Sequence, residues 1–252
     1  MSLVERRAPI HYEPSRSTPY REPTVYIFFH LLTGIILGFV LSDLLHDRRW
    51  LIPCAIGSIL PDLIDKPVGF LLFPDTIGYG RIHAHTLILS ACLLLAGAAY
   101  WYWKRNPAVI SMGVGVLSHQ VLDQMWRQPV NWYYPLKGPF QGKMPGDALV
   151  TLLEGELGNP AEWILAGMVV AGGIAFLCRG RFPAGIQNWQ GHRAGILGGV
   201  ALLLCICAGV VIGMGLVRRP LPFVGWSGPE EYLFSGAVIG LASFLAWRWG
   251  RH

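Results

Sequence analysis

Apolar runs about as long as a bilayer is thick recur along this chain, and they leave few folds open to it. A helix crossing the hydrocarbon core needs ~20 apolar residues. Runs of that kind occupy 25–45, 84–103, 107–126, 162–178, 194–217 and 232–249. A seventh, 51–73, is interrupted by Pro61, Asp62, Asp65, Lys66 and Pro67. Proline removes a backbone donor and a charge is unfavourable in lipid, so this run reads as a short helix over 51–64, with 66–73 at the interface or re-entering. Backbone polar groups in lipid must be satisfied within the protein, so the spans are helices. The expected fold class is all-α, a polytopic integral membrane helical bundle with about seven transmembrane helices, one of them short or broken. Of 252 residues, 53% are hydrophobic and only 14% charged, against about a quarter charged in a soluble domain. A net charge of +5 points to nucleic acid in a soluble protein. Here the basic residues flank apolar runs, so membrane lipid is the expected partner and nucleic acid is not.

Three regions follow. Residues 1–24 form a polar tail with Arg6, Arg7, Arg16 and Arg21 and no secretory signal peptide. Residues 25–161 hold most of the ionisable groups and end in a long loop, 127–161, rich in Pro, Gly, Trp and Tyr and carrying Asp147, Glu154 and Glu156. Residues 162–252 add three further spans to which no chemistry is assigned. Cys54, Cys92, Cys178, Cys205 and Cys207 lie in apolar runs with no CxxC pair and read as small apolar fillers.

The chemistry lies in His30, in Asp62 and Asp65, in Arg81 with His83 and His85, and in His119 with Asp123. His119 and Asp123 are four apart and share a helix face. Imidazole with carboxylate suits Zn²⁺, Mn²⁺ or Fe²⁺. Taken singly, each group has a plainer reading: a helix-packing His, helix-end Asp residues, a surface His83, an interhelical bridge. Threading the chain through the bilayer separates the two readings. If the short helix crosses, all of these groups return to one face, with His30 and His119 roughly 10 Å inside it at ~1.5 Å per residue. Unrelated polar residues have no reason to coincide in that way.

The segment from Ile56 to Pro67, the His85-Thr86 helix start and Ser118-His119-Gln120-Val121-Leu122-Asp123 together resemble the YdjM-like family of membrane-bound metal-dependent hydrolases, also described as LexA-binding inner-membrane-associated hydrolases. That family has an early His in its first apolar helix, a G-x-L-x-P-D block, a T-H-S-type block and an S-H-x-x-x-D block. His30, Asp62, His85 and His119 with Asp123 match these positions, and Trp132-Tyr133-Tyr134-Pro135-Leu136 resembles the aromatic-Pro stretch that follows. The resemblance covers 25–140. It departs at Asp65-Lys66, where many members have Asp-His, and at Gly80-Arg81 with Ala84, where many have His-Arg-Gly and Thr. His83 is a candidate replacement ligand, and the number of ions is left open.

The resemblance implies a metal-dependent hydrolase, and a phosphoester such as a lipid headgroup suits a site near the interface. His30, Asp62, His85, His119, Asp123 and His83 are the candidate metal ligands. Asp65, or an acid of the 127–161 loop, is the candidate general base, and Arg81 the candidate phosphate-holding group, although an interfacial arginine also snorkels without any such role. Two other classes stay open. A metal-ion or proton transporter needs polar groups through the full depth, and the far halves of the first spans are nearly all apolar. A noncatalytic scaffold with a structural metal needs closed coordination. Basic pairs at the end away from the site, Arg48-Arg49 and Lys104-Arg105 among them, favour a cytoplasmic location for that end and an extracytoplasmic one for the site.

Overall fold

The computed structural model describes residues 27–142, 148–160, 162–167, 169–170, 190–218 and 229–250. Among them there is no strand, and the structure is all-helical. In chain order the helices are α1 (Ile27–Leu44), α2 (Leu51–Gly57), α3 (Leu60–Pro67), α4 (Leu87–Lys104), α5 (Ala108–Leu122), α6 (Pro129–Trp132), α7 (Ala148–Leu157), α8 (Gln190–Leu216) and α9 (Pro229–Gly250). The expected tail over 1–24 lies outside the described residues, as does most of the expected span over 162–178. The 127–161 segment is less loop-like than its composition indicated, since it contains α6 and α7.

Two described helices are long and apolar enough to cross a membrane, Ile27–Leu44 and Leu87–Lys104. Ala108–Leu122, Leu204–Leu216 and Tyr232–Leu245 are apolar but shorter. The exposure of α4 is the reverse of that of a helix in water. It buries Ser90 and Gly97 while leaving Leu95, Tyr102 and Trp103 exposed. Small residues face the protein and large apolar ones face outward, as in helices that pack closely within lipid.

The expected short helix is two helices. Pro61 has no N–H to continue the ladder from α2, so the chain breaks at Ser58-Ile59 and restarts as α3 with Pro61 in its first turn. α3 runs to Pro67, past the expected end at 64, and a π-type turn over Val68–Leu72 follows. The outcome is that both Asp62 and Asp65 are buried on one side of α3, while Leu63 and Ile64 stay exposed.

Close backbone contact holds α1, α2 and α5 together. A Cβ at Gly115 would fall on the Cys54 carbonyl oxygen, one at Gly57 on the Met112 carbonyl oxygen, and one at Gly34 on the Ser58 hydroxyl. The Ser111 hydroxyl donates to the Trp50 carbonyl at 2.5 Å. Away from the site, the Asp47 carboxylate caps the turn over Arg48–Trp50 and forks onto Arg49, which holds its carboxyl below the usual range through hydrogen bonding.

The polar groups sit nearer the helix ends than the threading estimate. The Phe28 N–H bonds Glu162 Oε2 at 2.9 Å, so it lies in the first turn of α1 and His30 is about one turn in, ~4.5 Å at the usual rise. α5 stops at Leu122 rather than near 126, because Asp123 caps it and Gln124 takes a left-handed conformation (φ 51°).

Candidate metal centre

Four segments meet here: the first turn of α1, the buried side of α3, the turn leading into α4, and the last turn of α5. Thr86 starts α4, its hydroxyl accepting the Leu89 N–H at 3.3 Å, which is worth about 1 kcal/mol at such a position. His85 therefore stands just outside the helix on a turn of its own. Asp65 gathers that turn. Its carboxylate accepts the backbone N–H groups of Ile82 (2.9 Å), Ala84 (2.9 Å to the same oxygen) and His85 (3.1 Å), and lies 2.7 Å from His85 Nδ1. Gln120 closes the turn from the other side. Its amide nitrogen donates to the carbonyls of Ala84 (3.2 Å) and Thr86 (2.9 Å), and its oxygen accepts from Trp132 Nε1 at 3.1 Å.

The hydrogen bonds decide the tautomers. A carboxylate and a carbonyl only accept. His85 Nδ1 therefore donates to Asp65, and His119 Nδ1 donates to the Ser58 carbonyl at 2.8 Å. The two remaining Nε2 atoms carry lone pairs, and they lie 3.1 Å apart. Lone pairs at that distance repel unless a cation sits between them, a proton or a metal ion. Around the same point stand two carboxylate oxygens. Asp62 Oδ1 is 3.6 Å from His85 Nε2 and 3.8 Å from His119 Nε2. Asp123 Oδ2 is 3.7 Å and 3.9 Å from the same two atoms. A tetrahedral ion with bonds near 2.0–2.1 Å spaces its donors about 3.4 Å apart, and Asp62, His85 and His119 form a set of donors close enough to share one. All four side chains are at most 5% exposed.

Cations and a third imidazole surround these donors. Lys66 Nζ is 2.7 Å from Asp62 Oδ2, Arg81 Nε donates to Asp123 Oδ2 at 2.8 Å, and His30 Nε2 is 3.1 Å from Asp123 Oδ1. The His30 and His119 rings stack with centroids 3.9 Å apart. Lys66 and Arg81 are the more open members of the group, their side chains 30% and 12% exposed.

Of the residues singled out in the sequence, His30, Asp62, His85, His119 and Asp123 are brought together, with Arg81 bonded to one of them. His83 is not. It is exposed, edge-on to Phe140 and Tyr134 with centroids 4.9 and 5.9 Å away, because the turn that Asp65 holds by the N–H groups of Ile82, Ala84 and His85 leaves His83 on its outer side. Asp65 is inside the cluster, but in another place from that of a general base: its oxygens are occupied by the turn it organises. In the 127–161 segment, Glu154 is exposed, and Asp147 and the Glu156 side chain lie outside the described residues. Sequence reasoning missed Ser58, which acts through its carbonyl, and Gln120, although the adjacency of Gln120 to His119 was a signal.

The model of the YdjM inner membrane protein family matches residues 26–218, which takes in every residue of this centre. The chain belongs to the YdjM inner membrane protein family. No curated protein and no solved structure matches it. The family thus supplies the membrane setting, and the chemistry has to be argued from the cluster itself.

Proposed function

We propose that this YdjM-family protein is a multi-pass membrane metal-dependent hydrolase that cleaves a phosphoester, with a lipid headgroup as the substrate class. One observation carries the reading: two buried imidazole nitrogens lie 3.1 Å apart, with a buried carboxylate oxygen of Asp62 and one of Asp123 each 3.6–3.9 Å from both, brought together from α3, α5 and the turn before α4. His85, His119, Asp62 and Asp123 would hold the ion. When bound, a divalent ion of the kind this donor set suits, Zn²⁺ first and Mn²⁺ or Fe²⁺ next, neutralises charge on a phosphoryl oxygen and lowers the pKa of water towards 7. Arg81 and Lys66 stand at the more open edge and meet an approaching phosphoryl group with positive charge. Asp65 and the Ser58 carbonyl keep the two imidazoles in the tautomer and orientation the ion needs. We place the site towards the extracytoplasmic side, since Arg48-Arg49 and Lys104-Arg105 lie at the opposite ends of the helices.

A second reading is favoured by the burial of all four donors: a closed, structural ion that staples helices together. Two measurements on purified protein separate them. Metal analysis beside the His119→Ala variant is expected to find a metal only in the wild type. A panel of lipid phosphoesters, assayed with and without chelator, is expected to reveal chelator-sensitive release of one headgroup. Metal without turnover on any member of the panel gives the stapling reading, and absence of metal from the wild type removes both.

A further inference from the structure

Resting on the reading of this cluster as a metal centre, we propose that it takes one ion and not two, that His30 positions a ligand without being one, and that Lys66 and Arg81 fill the role of a second cation. Two groups of side chains here are spaced to hold a metal: Asp62, His85 and His119, and separately His30, His119 and Asp123. Both require His119. Its Nδ1 is committed to the Ser58 carbonyl, leaving only Nε2, and one ring nitrogen ligates one ion. The two groups are therefore alternatives.

The hydrogen bond between His30 and Asp123 decides between them. We assign the ring hydrogen of His30 to Nε2, which has an acceptor in Asp123 Oδ1 at 3.1 Å, whereas a hydrogen on Nδ1 would be buried with none. A protonated ring nitrogen has no lone pair for a metal. His30 Nδ1, the other ring nitrogen, is buried with no hydrogen-bond partner. His30 thus fixes the carboxylate plane of Asp123, so that Oδ2 faces His85 and His119. This is the support that metal-binding carboxylates draw from neighbouring donors.

Charge and carboxylate geometry agree. Asp62, Asp65 and Asp123 contribute −3 and Lys66 with Arg81 +2, a sum of −1 with neutral histidines. One divalent ion brings the buried cluster to +1. Two bring it to +3, which a low-dielectric site opposes. Each carboxylate also already holds a fixed cation, Lys66 on Asp62 and Arg81 on Asp123.

The test uses the full chain in detergent, loaded with Zn²⁺ or Co²⁺ chloride. Elemental analysis is expected to give one ion per chain. X-ray absorption of the zinc form is expected to show two imidazoles, and cobalt the intense visible bands of a tetrahedral site. His30→Gln, whose amide can still donate to Asp123, should keep the ion count and the cobalt spectrum. Lys66→Gln should bind cobalt more tightly, where loss of a mere brace on Asp62 would weaken it. Two ions per chain, three imidazoles on zinc, a changed cobalt spectrum in His30→Gln, or weaker binding in Lys66→Gln would each overturn the corresponding part. The X-ray absorption measurement needs no variant to fold. A single ion with two imidazoles but no hydrolysis leaves this inference standing and takes down the hydrolase reading alone, whereas no ion in the wild type takes down both.

Discussion

Asp65 shows how a carboxylate three residues from a proposed metal ligand can serve as scaffold. It receives three backbone N–H groups and the Nδ1 hydrogen of His85, and without it those donors are buried and unpaired. Asp65→Asn keeps the volume but replaces an acceptor-only group with one that carries its own hydrogens. His85 then loses a charged partner for Nδ1 and some of its basicity at Nε2. The expected outcome is a loss of metal affinity of roughly 10–100-fold, the usual cost of removing such a support, without a change in ion count. Titration of the variant with zinc against a competing chelator measures it. An unchanged affinity would show that the backbone alone orients His85. The pairing of Asp62 with Asp65 was visible in the sequence as two acids sharing a face. Their division of labour was not, because it depends on which of them meets the turn at 82–85.

At the scale of elements, the break between α2 and α3 and the approach of α5 to it make the centre possible. Gly115 lies one turn before His119 on the same face of α5, and it is the residue that lets α5 come close enough for His119 to reach the Ser58 carbonyl. Gly115→Ala is expected to push the two helices apart, destabilise the protein by about 1–3 kcal/mol as overpacking does, and weaken metal binding with it. Gly209, on α8, has open space around its Cβ position, so Gly209→Ala should leave both properties unchanged. Thermal melting of the two variants side by side checks this, and equal effects would sink it. Pro61 announced a helix break in the sequence, and the many glycines announced close packing. Which glycine faces which carbonyl follows only from how the helices lie against one another.

For the whole molecule, the C-terminal helices are tied to the bundle that carries the site. The Phe234 ring lies 5.7 Å from that of Trp126, just beyond α5, and Arg248 pairs with Asp43 at 2.8 Å near the far end of α1. α9 therefore runs alongside α1 from the site end to the opposite end, and Ser243 donates to the Ala201 carbonyl of α8 at 2.7 Å. The four proposed metal donors come from segments spread over residues 62–123, so an ion held by them would join parts of the chain that are otherwise held by packing. Anything that binds only the folded state stabilises it, by about 2.7 kcal/mol at a free concentration one hundred times Kd. Stripping the ion with chelator should lower the Tm of the wild type and leave that of His119→Ala where it was. A shared drop in both proteins would locate the chelator's effect elsewhere.

The amino-acid sequence by itself determined the helical class, the bounds of two long apolar helices to within a few residues and the set of polar side chains worth watching. Those depend on the length of apolar runs, on proline and on residue chemistry, all of them local properties. It also carried the family, through blocks whose order survives in the chain. Tertiary structure alone decided that Asp65 is spent on a turn, that His83 faces away while His85 faces in, and that His30 meets Asp123 across 93 positions of sequence. It also decided that two imidazole Nε2 atoms face each other. Whether a polar side chain becomes a ligand, a brace or a bystander depends on which acceptors reach its other atoms, and those arrive from helices distant in sequence.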